Sequence, residues 1–255
     1  MMNRVALARM NSNEAAERAG HEDRTVVITR PVRSADRAAA FLSGPGTCRF
    51  EILVSPLLTI VPMAPEIDLS DFAAVVLTSE NAVLFTDFSN MPKQMPAYCI
   101  GEGTAAAAAE AGFSARAAEN SSDSLISLAI REHALGKLLY LRGRHAANDV
   151  AGMLDQAGLP SEEVIVYDQV PASLNAEARK ALIQRRCVFP VFSPRTAEIL
   201  ADEAEFAPDI GHTICCLSTK VANAFRLNWN CTVAPEPTLA SILRMTRDVA
   251  AGPAA

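Results

Sequence analysis

Tyr98-Cys99-Ile100-Gly101-Glu102-Gly103-Thr104-Ala105, continued by four more alanines, Glu110, Ala111 and Gly112, is the stretch on which the fold turns. The apolar lead-in reads as a buried strand, the glycines as its exit turn, and Thr104 with the alanine run as a helix start, alanine being the strongest helix former. A strand that leaves through glycine into a helix aims backbone N–H groups and the positive end of a helix dipole at the space in front. An anion suits such a place. One Gly-x-Gly, with no third glycine and no acidic residue at the next strand end, is not the dinucleotide fingerprint, and read alone it is better explained as a tight turn in an ordinary α/β domain. The pattern gains weight because it recurs, with an apolar strand, a small polar turn and a helix start running from Ile214 through Ser218-Thr219-Lys220 to Phe225.

Composition narrows the classes. Half of the 255 residues are hydrophobic and a fifth charged, a balance ordinary for a globular chain of one or two domains. A formal charge of −6 argues against nucleic-acid or membrane partners, which call for a basic face, but leaves room for an anionic small molecule held by local arginines and backbone N–H groups. Cys48, Cys99, Cys187, Cys215, Cys216 and Cys231 lack Cys-x-x-Cys spacing and mostly fall in apolar runs. They read as reduced core residues in a cytoplasmic protein. His21, His133, His145 and His212 are scattered without ligand spacing, so no metal site is expected. Residues 1–24 read as a disordered tail, with no apolar run for a secretory signal or a membrane span.

Strand and helix signals alternate from Thr25 onward. Thr25 to Ile28 is a strand and Ser34 to Leu42 a helix with Ala38, Phe41 and Leu42 on its apolar side. Ile52 to Val54 and Leu57 to Val61 are extended, and Pro56 between them demotes the run to a sheet edge or a connecting ribbon. Ala73 to Ser79 is a buried strand whose terminal Ser79 caps the helix begun by Glu80. After the Tyr98 unit come a strand near Phe113, a helix from Ser121, a strand from Lys137 to Arg144 and a helix through Met153. The pattern restarts with a strand at Val164 to Pro171.

That restart is an internal repeat. Ile28-Thr29-Arg30 aligns with Tyr140-Leu141-Arg142, Ile52 to Val54 with Val164 to Val166, Leu77-Thr78-Ser79 with Val191-Phe192-Ser193, and Ile100-Gly101 with Leu217-Ser218. Each offset is roughly 110 to 120 residues, about one domain. Two doubly wound α/β units follow, whose ligands belong beyond the carboxyl ends of the strands, where Arg30, Ser79, Gly101, Arg142, Ser193 and Ser218 stand.

In their order, Ile28-Thr29-Arg30-Pro31, Leu77-Thr78-Ser79-Glu80-Asn81, Ile100-Gly101-Glu102-Gly103-Thr104, Leu141-Arg142-Gly143-Arg144, Val166-Tyr167, Phe192-Ser193-Pro194 and Pro235-Glu236-Pro237-Thr238 resemble the uroporphyrinogen-III synthases of tetrapyrrole biosynthesis. The resemblance spans Thr25 to Asp248. It implies two similar doubly wound parallel-sheet, flavodoxin-like domains joined by a two-stranded linker, with swapped connectivity. Residues 25–53 and 168–250 would form one domain, 58–163 the other, and 54–57 with 164–167 the linker strands.

The resemblance also implies a reaction. Linear hydroxymethylbilane loses its terminal hydroxyl as water and closes to uroporphyrinogen III with the last pyrrole inverted. Tyr167 is the implied catalytic acid, although a tyrosine on such a strand also serves as plain amphipathic cover. Arg30, Ser79, Gly101, Gly103, Thr104, Arg142, Gly143, Ser193, Ser218 and Lys220 are the implied contacts of a monomeric enzyme with its substrate, no cofactor or metal taking part. Val221 departs from the pattern, which often has a hydroxyl residue there. The alternative is a non-catalytic bilobal protein that binds or senses a small anion.

Overall fold

The computed structural model describes residues 24–44, 50–119, 121–132, 135–146, 148–204, 207, 210–225 and 229–252. The expected tail, apart from Arg24, lies outside these residues, as do Cys48, His21 and His133. In chain order the strands are β1 (Arg24–Ile28), β2 (Glu51–Val54), β3 (Leu58–Pro62), β4 (Ala74–Leu77), β5 (Pro96–Ile100), β6 (Ser114–Ala118), β7 (Leu138–Gly143), β8 (Ser161–Pro171), β9 (Arg186–Val191), β10 (Thr213–Cys216) and β11 (Asn230–Val233). The helices are α1 (Val32–Leu42), α2 (Glu80–Leu84), α3 (Glu102–Glu110), α4 (Ser122–Glu132), α5 (Val150–Gln156), α6 (Ala176–Gln184), α7 (Pro194–Glu203), α8 (Thr219–Ala224) and α9 (Leu239–Ala251). None of the described helices is long and apolar enough to cross a membrane.

The strands form two sheets, ordered β11-β10-β9-β1-β2 and β3-β8-β7-β4-β5-β6. Neighbours from β2 to β11 and from β8 to β6 pair in parallel. Counting β1 as first, the first sheet has the order 2-1-3-4-5; counting β7 as first, the second has the same order with β3 added at its edge. Each is a doubly wound, flavodoxin-like sheet. The repeated segments fall on equivalent strands, β1 with β7, β2 with β8, β4 with β9 and β5 with β10. The chain divides into two units, Met1–Thr59 with Pro171–Ala255, and Ile60–Val170. Connectivity is swapped, because β1 and β2 join the sheet of the later strands.

Burial on both faces explains the unbroken apolar strands. In β1, Val27 faces one core cluster while Val26 and Ile28 face the other. In β4, Val75 and Leu77 face one side, Ala74 and Val76 the opposite one. Helix caps are local: Asn175 accepts from the Ala178 N–H, Ser193 from Thr196 and Thr238 from Ser241. In α1 the buried side chains are Ala35, Ala38 and Leu42; Phe41, expected on that side, lies partly in solvent beneath the Arg247 guanidinium, 5.3 Å from the ring centroid. Buried Cys99 and Cys187 have thiols pushed up to about 12 by desolvation, which leaves them protonated and inert.

Proline placement follows the ladders. Pro56 lies between β2 and β3, and both are edge strands. Pro190, by contrast, lies inside central β9. The Val191 carbonyl accepts from Leu217 and the Cys187 N–H donates to His212 Nδ1, so these odd-numbered residues face β10. Pro190 therefore turns its ring nitrogen toward β1, where pairing has already ended at Val26 opposite Val188. The ladder to β1 stops where proline has no N–H to donate.

Val221 is 2 % exposed and belongs to a core cluster with Phe189 and Ile214. Its place is a packing position. Val221→Thr should cost about 1–3 kcal/mol by burying a hydroxyl, seen as a lower midpoint in urea unfolding.

Candidate active site

Parallel strands bring their carboxyl ends to one edge, and in a 2-1-3 order the crossovers leave on opposite faces between the strands counted first and third. In the Ile60–Val170 unit those strands are β7 and β4. A cavity of about 350 Å³ opens at their exits. Its described lining includes Thr78 and Ser79 after β4, Tyr140, Arg142 and Gly143 of β7, and Tyr167 and Gln169 of β8. Ile100, Ser122, His145 and Asn148 add to it.

Tyr167 owes its position to a bulge. Arg142 pairs with Ile165 but Gly143 pairs with Tyr167, so β8 carries one extra residue, Val166. The bulge lets consecutive Val166 and Tyr167, 0 % and 5 % exposed, enter the same core cluster, which regular alternation forbids. Gly143 makes the room: a Cβ there would stand 2.6 Å from Cε2 and Cζ of Tyr167 and 2.9 Å from its Oη. Burial pushes the Tyr167 phenol above its ordinary value, while hydrogen bonds with the Ser79 and Asn81 side chains pull the other way. The phenol thus keeps its proton at neutral pH.

The polar groups around it are largely paired. Arg142 donates from Nε to Glu163 Oε2 at 2.9 Å and from Nη2 to Oε1 at 2.6 Å. Its Nη1 donates to the Gly143 and Arg144 carbonyls. This bidentate pair spends the guanidinium on the protein's own carboxylate and leaves little net charge. Tyr140 and Thr78 hydroxyls lie 3.2 Å apart, Asn148 Nδ2 donates to Ser122 Oγ at 2.9 Å, and Asp168 meets Arg144 Nε at 2.8 Å and His145 Nε2 at 3.5 Å. Among the described residues, no group of three or more His, Cys, Asp or Glu is arranged to hold a metal ion.

Of the residues singled out in the sequence, Ser79, Arg142, Gly143 and Tyr167 share this cavity. Ser79 also caps α2, accepting from the Asn81 N–H at 3.2 Å. Gly101 stands at the same sheet edge with φ 75°, which favours glycine, and donates its N–H to the Ala118 carbonyl. Gly103 is exposed in the first turn of α3 and Thr104 is buried beside it. Arg30, Ser193, Ser218 and Lys220 belong to the other unit. There the Arg30 guanidinium lies 4.2 Å over the Phe192 ring, Ser193 caps α7, and Ser218 precedes α8 without a side-chain cap bond. Lys220 is exposed.

Sequence reasoning does not pick out Thr78, Tyr140, Ser122, His145, Asn148 or Gln169 as part of a site. Thr78 follows the last residue of β4, and a hydroxyl where an apolar strand stops is the signal that points to it, whereas Tyr140 lies inside β7 and carries no such signal.

Comparison with known proteins adds an independent finding. The model of the family described as uroporphyrinogen-III synthase HemD matches residues 48–244. A search of curated protein sequences finds no match. Among solved structures, the uroporphyrinogen-III synthetase of Helicobacter pylori is similar with a TM-score of 0.62 at 19% identity, covering 87% of this chain and 97% of that one. A mutant uroporphyrinogen III synthase from the extremely thermophilic bacterium Thermus thermophilus is similar with a TM-score of 0.44 at 15% identity, covering 87% and 96%. The first of these likenesses is one of fold.

The contact between Gly143 and Tyr167 is directly testable. Burial holds all three phenols, Tyr98, Tyr140 and Tyr167, above their ordinary value. Gly143→Ala should displace the Tyr167 ring, so that one phenol titrates nearer the ordinary value of about 10 in ultraviolet absorbance. The variant should also lose about 1–3 kcal/mol of stability through overpacking.

Proposed function

The chain belongs to the uroporphyrinogen-III synthase HemD family, and we propose that it cyclises hydroxymethylbilane to uroporphyrinogen III through the cavity around Tyr167. One observation supports that site above others: a buried, protonated phenol, held by neighbouring side chains, faces a cavity at the switch point of a doubly wound sheet.

The chemistry asks little of the protein beyond posture. The terminal carbon–oxygen bond of the substrate breaks, the departing hydroxide takes a proton, and a pyrrole-stabilised cation remains. The substituted carbon of the last pyrrole must then attack in preference to the free position; the methylene it already carries departs as a second pyrrole-stabilised cation and is captured by the free position, whose proton is released, so that the ring closes with that pyrrole inverted. Holding one bent conformer favours that attack through proximity and orientation. Tyr167 is the proton donor for the departing hydroxide. Ser79 and Asn81 aim its hydroxyl and Gly143 leaves space for its ring.

The carboxylates of the substrate fall to polar groups at the strand ends. In this unit they are the Ser79 hydroxyl and the helix start at Gly101, Gly103 and Thr104, with Arg142 as a charge-balanced wall. Arg30, Ser193, Ser218 and Lys220 take the same role at the strand ends of the other unit. We read the two units as the family's two domains, with residues 54–57 and the 164–167 part of β8 as the linker. The enzyme is a lyase that releases water, works as a cytoplasmic monomer and needs no cofactor.

Supplying hydroxymethylbilane and separating the oxidised porphyrins by chromatography should give the type III isomer; the type I isomer alone, as from unaided closure, would leave a non-catalytic anion binder. Tyr167→Phe should lower kcat by at least about tenfold and leave product affinity within about twofold. Activity limited by that proton should not decline with rising pH until above the ordinary tyrosine value of about 10, because burial raises this phenol.

A further inference from the structure

Tyr140 and Tyr167 reach the same cavity from opposite faces of one sheet. Tyr140 belongs to the core cluster of Ala74, Val76 and Leu138, whereas Tyr167 belongs to that of Val75, Leu77 and Leu139. The exit of β4 serves both. Thr78, continuing the face of Val76, meets the Tyr140 hydroxyl at 3.2 Å; Ser79, continuing the face of Leu77, holds Tyr167. Two phenols are thereby brought over a single sheet edge by adjacent hydroxyl residues.

Resting on the reading of this cavity as the cyclisation site, we propose that Tyr140 is a second substrate-touching residue, whose hydroxyl, oriented by Thr78, donates to a carboxylate of the tetrapyrrole. The charge inventory points the same way. The Arg142 guanidinium is engaged by Glu163 and two carbonyls, so an acidic ligand here meets neutral donors. When Thr78 donates to the phenol oxygen, the Tyr140 proton turns toward the cavity. Tyr140 itself is 2 % exposed, and a hydrogen bond to a charged group counts for more in such a place than in water. Its role is binding, distinct from the proton transfer assigned to Tyr167.

Tyr140→Phe removes the hydroxyl and keeps the ring. It should raise KM and the dissociation constant of uroporphyrinogen III, read by fluorescence quenching, by at least about tenfold while kcat stays within about twofold and thermal unfolding stays near wild type. Unchanged KM and product affinity, or a loss confined to kcat, would overturn the assignment. Should Tyr140→Phe fail to fold, Thr78→Val decides by the same two constants: a rise supports the proposal and constancy overturns it. A wild-type protein that yields only the type I isomer would fell the cyclase reading and this proposal together, whereas type III product with an unaffected Tyr140→Phe fells this proposal alone.

Discussion

Parallel pairing is the constraint from which the rest of the molecule follows. Because neighbouring strands from β8 to β6 run one way, Ser79 beyond β4, Gly101 beyond β5, Gly143 at the end of β7 and Tyr167 opposite it in β8 are delivered to one edge from stretches far apart in the chain. Parallel strands need crossovers, and the crossovers bury both faces, which is why Val75, Val76 and Leu77 are all apolar and fully buried. Polar chemistry is left only the strand ends, where the apolar runs stop and the helices begin.

Within that frame a single irregularity decides where the phenol sits. The extra residue in β8 turns Tyr167 onto the face of Val166, and the absent side chain of Gly143 gives it space. Gly143 carries no positive φ, so its backbone is open to any residue; the steric demand of the Tyr167 ring is the reason for glycine there. Gly101 is the converse case, a glycine whose φ of 75° is itself a reason for the residue.

Much of the fold is legible in the sequence because doubly wound sheets have a strong grammar of apolar runs, polar stops and helix caps. The repeat of Ile28-Thr29-Arg30 in Tyr140-Leu141-Arg142 falls on equivalent strands, and Pro56 marks the break in the chain between two edge strands. Other features are closed to that reading. A bulge between Arg142 and Gly143 depends on cross-strand register, which no single segment carries. β8 begins at Ser161 rather than Val164, because pairing with β7 extends an edge that its own polar residues do not announce. Tyr140 alternates like any core residue of its strand, so only the distance to Thr78 reveals its hydroxyl as part of the cavity. The pairing of Arg142 with Glu163 likewise needs the register of β7 against β8.

The swapped connectivity bears on the order in which the molecule is made. The segment Ile60–Val170 is continuous and has its own cores, the arrangement general for a unit that folds before the chain is complete. β1 and β2 emerge earlier, yet β1 finds its other neighbour, β9, only after roughly 130 further residues. During that interval a short, strongly apolar parallel pair has an open flank. Such a chain profits from quick closure of its middle portion, which carries the two distant halves of the other sheet along as a single loop whose entropy cost is already met.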